Sequence, residues 1–304
     1  MLLPSPRNGM IHFSGFTGLR SMRTAIELVL MAIVLAWVSS AQMGPPAAID
    51  PVALVRRATQ HRMDASANLR PLRYLFRRTD GRHDTTKDTI ETVDGTVDRL
   101  VAVDGRPLSA QANQAELERL NVLENHPEMQ EHHHKRELAD VDRVNRLMRL
   151  LPDALLFRFE GMAPCAGGQC YRLSFSPNPR FEPPDREANL FRGMAGEVWI
   201  DQAQERLTRL DAHLVTGVNF GWGFIASLNK GGTVLIEQAD VGGHVWEVTA
   251  MKLNLTGTIL MVKPLNLQIT EERSHFSIVP PHMDYPKAIQ LLENSGQPVT
   301  PGGR

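Results

Sequence analysis

Three consecutive histidines, His132-His133-His134, form the densest group of potential metal ligands in the chain. Adjacent residues on a helix point about 100° apart, so the three cannot converge on one ion. Convergence requires a partner at i+4, and Arg136, Glu137 and Leu138 hold those positions. The run reads as a solvated helical face, and no metal or other cofactor is expected. Cys165 and Cys170 are the only cysteines; they bracket Ala-Gly-Gly-Gln and precede a cleanly alternating stretch, Tyr171 to Ser176. Redox catalysis favours a C-x-x-C spacing, and a metal site needs more ligands than two thiolates. The pair is therefore expected as a structural disulfide that closes a β-hairpin turn in an oxidising compartment. No G-x-S-x-G elbow, H-E-x-x-H, Walker loop or dinucleotide fingerprint occurs. His213, His244 and His275 fall on expected strands, and hydrolysis would need the fold to bring carboxylates to them. Lys230-Gly231-Gly232 lacks the following helix that a phosphate cradle uses. No catalytic residue is assigned, and a secreted hydrolase is the weakest of three readings.

The aromatic residues say more. Trp199, Phe220, Trp222, Phe224 and Trp246 all lie between residues 196 and 279, a stretch holding three of the four tryptophans. They fill a core, or they line a concave apolar pocket. A pocket of that kind accepts an acyl chain, with about 0.8 kcal/mol gained per buried methylene. The candidate lining is Trp199, Leu210, Phe220, Trp222, Phe224 and Trp246.

These side chains must be positioned by strands. From Gly196 to Val279 the chain reads as successive strands with short turns, and such turns permit only antiparallel pairing. Leu207, Arg209 and Asp211 are expected on one face, Leu210, Ala212 and Leu214 on the other. Gly257 is expected to open the last strand. Upstream, Asp50-Pro51 starts a helix. Strands follow at 72–78, 87–93 and 97–103, with Asp94-Gly95 and Asp104-Gly105 as turns. Ser109 caps a helix interrupted at His126-Pro127, and a second helix runs from Glu128 to Leu151, ended by Pro152. Its first turns, Glu128 to Glu137, are polar and are expected to stand in solvent. The helical pair either covers one face of the sheet or projects as an arm. Four prolines between Ser176 and Asp185 make a surface loop.

At the N-terminus, Arg20 and Arg23 precede an apolar run from Leu28 to Val38 and small residues up to Ala41. Residues 1–41 read as a cleaved signal peptide, which places the mature protein in the periplasm or outside the cell. Residues 42–279 are expected to form one α+β domain with a helical insertion at 109–151. Residues 280–304 are expected as a partly disordered tail with one short helix. With 33 basic and 34 acidic side chains, the whole chain has no net field to attract nucleic acid.

The order Gly196-Glu-Val-Trp-Ile-Asp201, Arg206-Leu-Thr-Arg-Leu210, Lys230-Gly231-Gly232 and His244-Val-Trp246 resembles the LolA-like lipoprotein-carrier superfamily, in particular its exported outer-membrane lipoprotein-sorting-like members. The resemblance covers about residues 150–278. It implies a half-barrel of curved antiparallel strands, covered by helices, around a hydrophobic cavity for a lipid or lipoprotein acyl chain, without catalytic residues. Two features depart from the pattern. The helical pair is a large insertion relative to a minimal carrier, and Glu247 stands where a proline is expected after Trp246. The competing expectation is an envelope interaction or sensor module, with a fully packed sheet and residues 109–151 contacting another protein.

Overall fold

Asp50 starts the first helix as its type requires: Oδ1 accepts the backbone N–H groups of Val52 at 3.0 Å and Ala53 at 3.1 Å. This computed structural model describes residues 49–67, 70–220 and 226–295. The expected signal peptide, Trp222, Phe224 and residues 296–304 lie outside the described residues.

Helix α1 (Pro51–Ala67) is followed by β1 (Leu72–Thr79), β2 (Asp84–Thr92), β3 (Gly95–Val103) and the two-residue β4 (Arg106–Pro107). Helices α2 (Ala110–Asn125) and α3 (Pro127–Ala154) come next. Ser109 caps α2 by accepting the Ala112 N–H at 3.2 Å. Pro152 does not end α3. It sits in the last turn, which closes where the Leu155 N–H meets the Leu151 carbonyl. β5 (Leu155–Cys165) and β6 (Gly168–Pro177) form a hairpin, and a 3-10 turn at Glu187–Arg192 leads into β7 (Met194–Asp201) and β8 (Leu207–Leu214). Then come β9 (Val218–Phe220), β10 (Ala226–Leu228), β11 (Thr233–Asp240), β12 (Trp246–Ile259), β13 (Lys263–Ile278) and α4 (Tyr285–Asn294).

All described pairings are antiparallel, in one curved, open sheet ordered β4-β3-β2-β1-β13-β12-β11-β8-β7-β6-β5, with the short β9–β10 pair attached to β12. The fold is thus α+β with a half-barrel sheet, as expected. Its central joint is non-local: β1 lies beside β13, with Leu72 opposite Ile278 and Thr79 opposite Thr270. The N-terminal strands therefore extend the same sheet as the strand-rich half.

Two details reverse sequence expectations. Leu207 does not share a face with Arg209. A β-bulge sets Trp199 opposite Arg209 but Ile200 opposite Leu207, so Leu207 turns to the inner face with buried Ile200. Gly257 does not open a strand, because β12 continues to Ile259. A Cβ at Gly257 would lie 1.9 Å from the Ser227 carbonyl oxygen, so this glycine marks where β10 closes on β12.

Apolar residues gather in two clusters at the ends of the inner face. In one, Leu54, Val55 and Ala58 of α1 and Leu151 of α3 meet Leu173, Phe175, Val198, Ile200 and Leu214. In the other, Ile90, Val97 and Leu120 meet Ile289 and Leu292 of α4. The segment expected as a tail is therefore packed where α4 begins, and Arg99, itself 3% exposed, reaches the end of α4 by donating to the Leu292 carbonyl at 2.5 Å. The helical pair covers the sheet, since Leu120 belongs to one cluster and Leu151 to the other. Its polar turns are not simply solvated: Gln130 is buried and donates to the Asp94 carbonyl at 2.7 Å.

Candidate functional site

Helix α3 crosses the inner face between the two clusters and leaves spaces on both flanks. Leu151, Met148 and Val144, on successive turns of α3, look toward Leu210 of β8, Ile236 of β11 and Val248 of β12. With Val55, Phe157, Phe175 and Val198, they enclose an apolar cavity of about 100 Å³. Arg62, Val144, Leu207 and Gln238 line both this cavity and a wider polar one of about 310 Å³, so the two form one trough with an oily end and a charged end. On the other flank of α3, Leu147, Leu190, Phe220, Leu228, Val234, Leu253 and Leu255 line a third space of about 400 Å³, again nearly all apolar.

The charged end is built from distant parts of the chain. Arg62 comes from α1, Glu91 from β2, Asp140 from α3, Arg206 from the β7–β8 turn, and Trp246 and Glu247 from β12. Glu91 Oε2 accepts the backbone N–H of Leu72 at 3.1 Å. Burial is the main cause that pushes its carboxyl up to about 7, and neighbouring Glu247 adds to the shift. Burial also raises Glu247, opposed by the Arg273 and Arg62 guanidinium groups. Arg62 is lowered chiefly by burial, with Glu247 opposing. Arg273 lies 5.7 Å from the ring centres of both Tyr74 and Phe76. In its satisfied orientation, the Gln238 amide accepts from Arg62 Nη1 at 3.2 Å and donates to the Leu207 carbonyl at 3.3 Å. The trough thus holds apolar surface at one end and fixed hydrogen-bonding and ionic groups at the other, the surface an amphiphile matches.

Of the residues expected to line a pocket, Leu210 lies in the oily end, Trp246 at the charged end and Phe220 in the space across α3. They are not brought into one chamber. Trp246 is held by its indole N–H, which donates to Gln204 Oε1 at 2.9 Å. Trp199 points elsewhere. It is the cross-strand neighbour of Arg209, whose guanidinium carbon lies 5.9 Å from its ring centre, and its indole donates to Glu197 at 3.2 Å. Neighbouring Val198 and Ile200 take the inner face, so strand alternation sends Trp199 to the outer one. Arg62 and Glu91 had no distinguishing pattern in the sequence. Glu247 had one signal: it stands where the motif resemblance leads one to expect a proline after Trp246.

The cysteines are bonded, with an S–S distance of 2.05 Å, across the end of the β5–β6 hairpin. Asp201 approaches them, and this is the one described group of three potential metal ligands. With both sulfurs in a disulfide it lacks thiolate donors. His133 Nε2 lies 3.1 Å from Glu137 on the same helix. His213, His244 and His275 stand exposed on β8, the β11–β12 loop and β13.

No protein-family model matches the chain, and no curated protein matches it. Among solved structures the chain is similar to a domain from Vibrio parahaemolyticus named for outer membrane lipoprotein sorting, at 10% identity and a TM-score of 0.31, covering 79% of this chain and 99% of that one. It is also similar to a DUF1329 family protein from Desulfovibrio piger, at 11% identity and a TM-score of 0.27, covering 76% of this chain and 94% of that one.

Proposed function

We propose that this is an exported, non-catalytic binding protein that holds a lipid or lipoprotein acyl chain, or another apolar ligand, beneath α3. The observation that carries this reading is the apolar space left between α3 and the inner face of the sheet, bounded by Val144, Met148, Leu210, Ile236 and Val248. Burial of chain methylenes supplies the affinity, and movement of α3 supplies release. The Cys165–Cys170 disulfide supports an oxidising compartment, and cleavage near Ala41 fits that route. Gentle purification followed by lipid extraction and mass spectrometry tests the idea. A bound amphiphile in stoichiometric amount is expected; empty protein that also fails to bind a fluorescent fatty acid ends the proposal.

A second reading, docking of an envelope protein on the helical pair, is favoured by Met129 and Leu138, which are 48% and 51% exposed on α3. Deleting 109–151 would remove Leu120 and Leu151 from the two cores, so the informative variant is Leu138→Glu. Loss of a partner with unchanged ligand binding would favour this reading.

A further inference from the structure

The turn between β12 and β13 carries Leu260, Met261 and Val262, which are 66%, 57% and 82% exposed. A single exposed leucine requires no explanation, but three adjacent apolar residues at a tip do. The backbone makes the choice stranger. Leu260 has φ +49° and Met261 φ +63°, the left-handed region that hairpin turns ordinarily give to Asn and Gly. Large side chains are thus held in an unfavourable conformation only to be presented to solvent, and this pairing of strain with exposure points to use.

The tip stands at the end of a ribbon. β1 reaches β13 only as far as Thr270, and β11 reaches β12 only as far as Asn254. Beyond these points β12 and β13 continue as a pair to Ile259 and Lys263, flanked among the described strands by three-residue β10. One face of the ribbon carries half-buried Leu255, Leu265 and Leu267, and the other carries exposed Thr256, Asn266 and Gln268. Leu255 also lines the apolar space across α3. An oily track therefore runs from that space toward the tip.

Charge identifies what the tip meets. The chain is balanced overall, yet residues 212–236 and 248–270, which build this end of the sheet, contain Lys230, Lys252 and Lys263 and no Asp or Glu. Lys263 flanks the tip directly, and Lys230 lies in the turn beside Thr256, whose carbonyl accepts the Asn229 N–H. An apolar tip with Lys263 beside it, at the end of stretches that hold lysines and no Asp or Glu, suits a bilayer surface that carries anionic lipid.

We infer that Leu260, Met261 and Val262 insert into the surface of an anionic bilayer, seating the ribbon and the apolar space behind it on the membrane. The inference does not depend on what the trough beneath α3 holds. The test compares the full chain with a Leu260→Asn/Met261→Gly variant in sedimentation with phosphatidylglycerol–phosphatidylcholine vesicles and with phosphatidylcholine vesicles. Asn and Gly suit the left-handed turn, so the variant is expected to fold with equal or higher Tm. The apolar segment Leu28–Val38 is common to both proteins, so the difference between them reports on the tip. Binding to anionic vesicles is expected to fall about tenfold in the variant, and wild-type binding to fall comparably when the anionic lipid is left out. Equal vesicle binding by wild type and variant, equal binding to both lipid compositions, or no wild-type binding at all would overturn the inference. A tip-dependent dimer in sedimentation without vesicle binding would overturn it too, by assigning the tip to a second copy of the chain.

Discussion

The Glu137 carboxylate accepts the backbone N–H of Thr96 at 3.1 Å, tying the polar first half of α3 to the β2–β3 turn. The Thr96 hydroxyl donates to the same carboxylate, and Gln130 adds its bond to Asp94. Gly95, at φ +103°, lets the turn fit beneath them, for a Cβ there would lie 2.7 Å from Glu137 Oε2. Two different attachments thus hold α3: polar bonds at its start, and Leu147, Met148 and Leu151 in the core at its end. Glu137→Ala is expected to cost about 1–3 kcal/mol locally by stranding the Thr96 N–H. Hydrogen exchange should then rise across residues 127–140 while 147–154 keeps its protection. Uniform exchange along α3 in both proteins would contradict this division.

Glu91 gives stability a pH dependence of defined sign. Its carboxyl is pushed up to about 7 in the folded chain, whereas an exposed glutamate titrates near 4.5. Between those values the folded state keeps a proton that the unfolded state has released, so stability falls as pH rises. The contribution is fully present below about pH 4.5 and has been lost above about pH 7, on the order of 3 kcal/mol. Glu91→Gln keeps an acceptor for the Leu72 N–H and removes the titration. Denaturant midpoints measured from pH 4.5 to 8 should decline less in the variant than in wild type. Parallel declines would rule out Glu91 as the source.

The disulfide closes a loop with a sequence separation of only 5, so its effect is small. Replacing both cysteines by serine is expected to lower stability by about 2 kcal/mol on the chain-entropy account. Cys170 is fully buried beside the Thr208 hydroxyl, at 3.4 Å, so serine there retains a polar neighbour. Reductant should shift the wild-type denaturation midpoint to that of the double variant and leave the latter unchanged.

Strand order along the second half, the capped starts of α1 and α2 and the cysteine pair were legible because each depends on neighbours in sequence. Asp50 bonds within three residues, Ser109 within three, and the cysteines face one another across a single turn. What failed depended on distant partners. Strand alternation predicted the wrong face for Leu207, because the bulge opposite Trp199 and Ile200 shifts parity by one residue. Polarity placed Gln130 in solvent, while a carbonyl 36 residues earlier in the chain gives it a buried partner. Aromatic content grouped Trp199 with Leu210 and Trp246, whereas its neighbours Val198 and Ile200 take the inner face and leave Trp199 on the opposite one. The charged end of the trough could not be read, because Arg62, Glu91 and Glu247 meet only once β1 has paired with β13 and α1 has packed against α3 and β8.

The trough itself offers the sharpest test of ligand binding, because its oily end is small. Met148, on α3, faces a cavity of about 100 Å³, so a larger side chain there occupies the space a ligand would need. Met148→Trp is expected to abolish binding of a fluorescent fatty acid beneath α3. Its stability should change by no more than about 1–3 kcal/mol in either direction, since filling a void and overpacking act oppositely. Ile236→Ala, on the facing strand, widens the same space and costs about 2–5 kcal/mol of stability, with binding retained or strengthened. Fluorescence titration of both variants, with thermal denaturation as the control, separates plugging from unfolding. A Met148→Trp protein that binds the probe as wild type does would place the ligand elsewhere, with the apolar space beside Phe220 and Leu255 the next to be blocked.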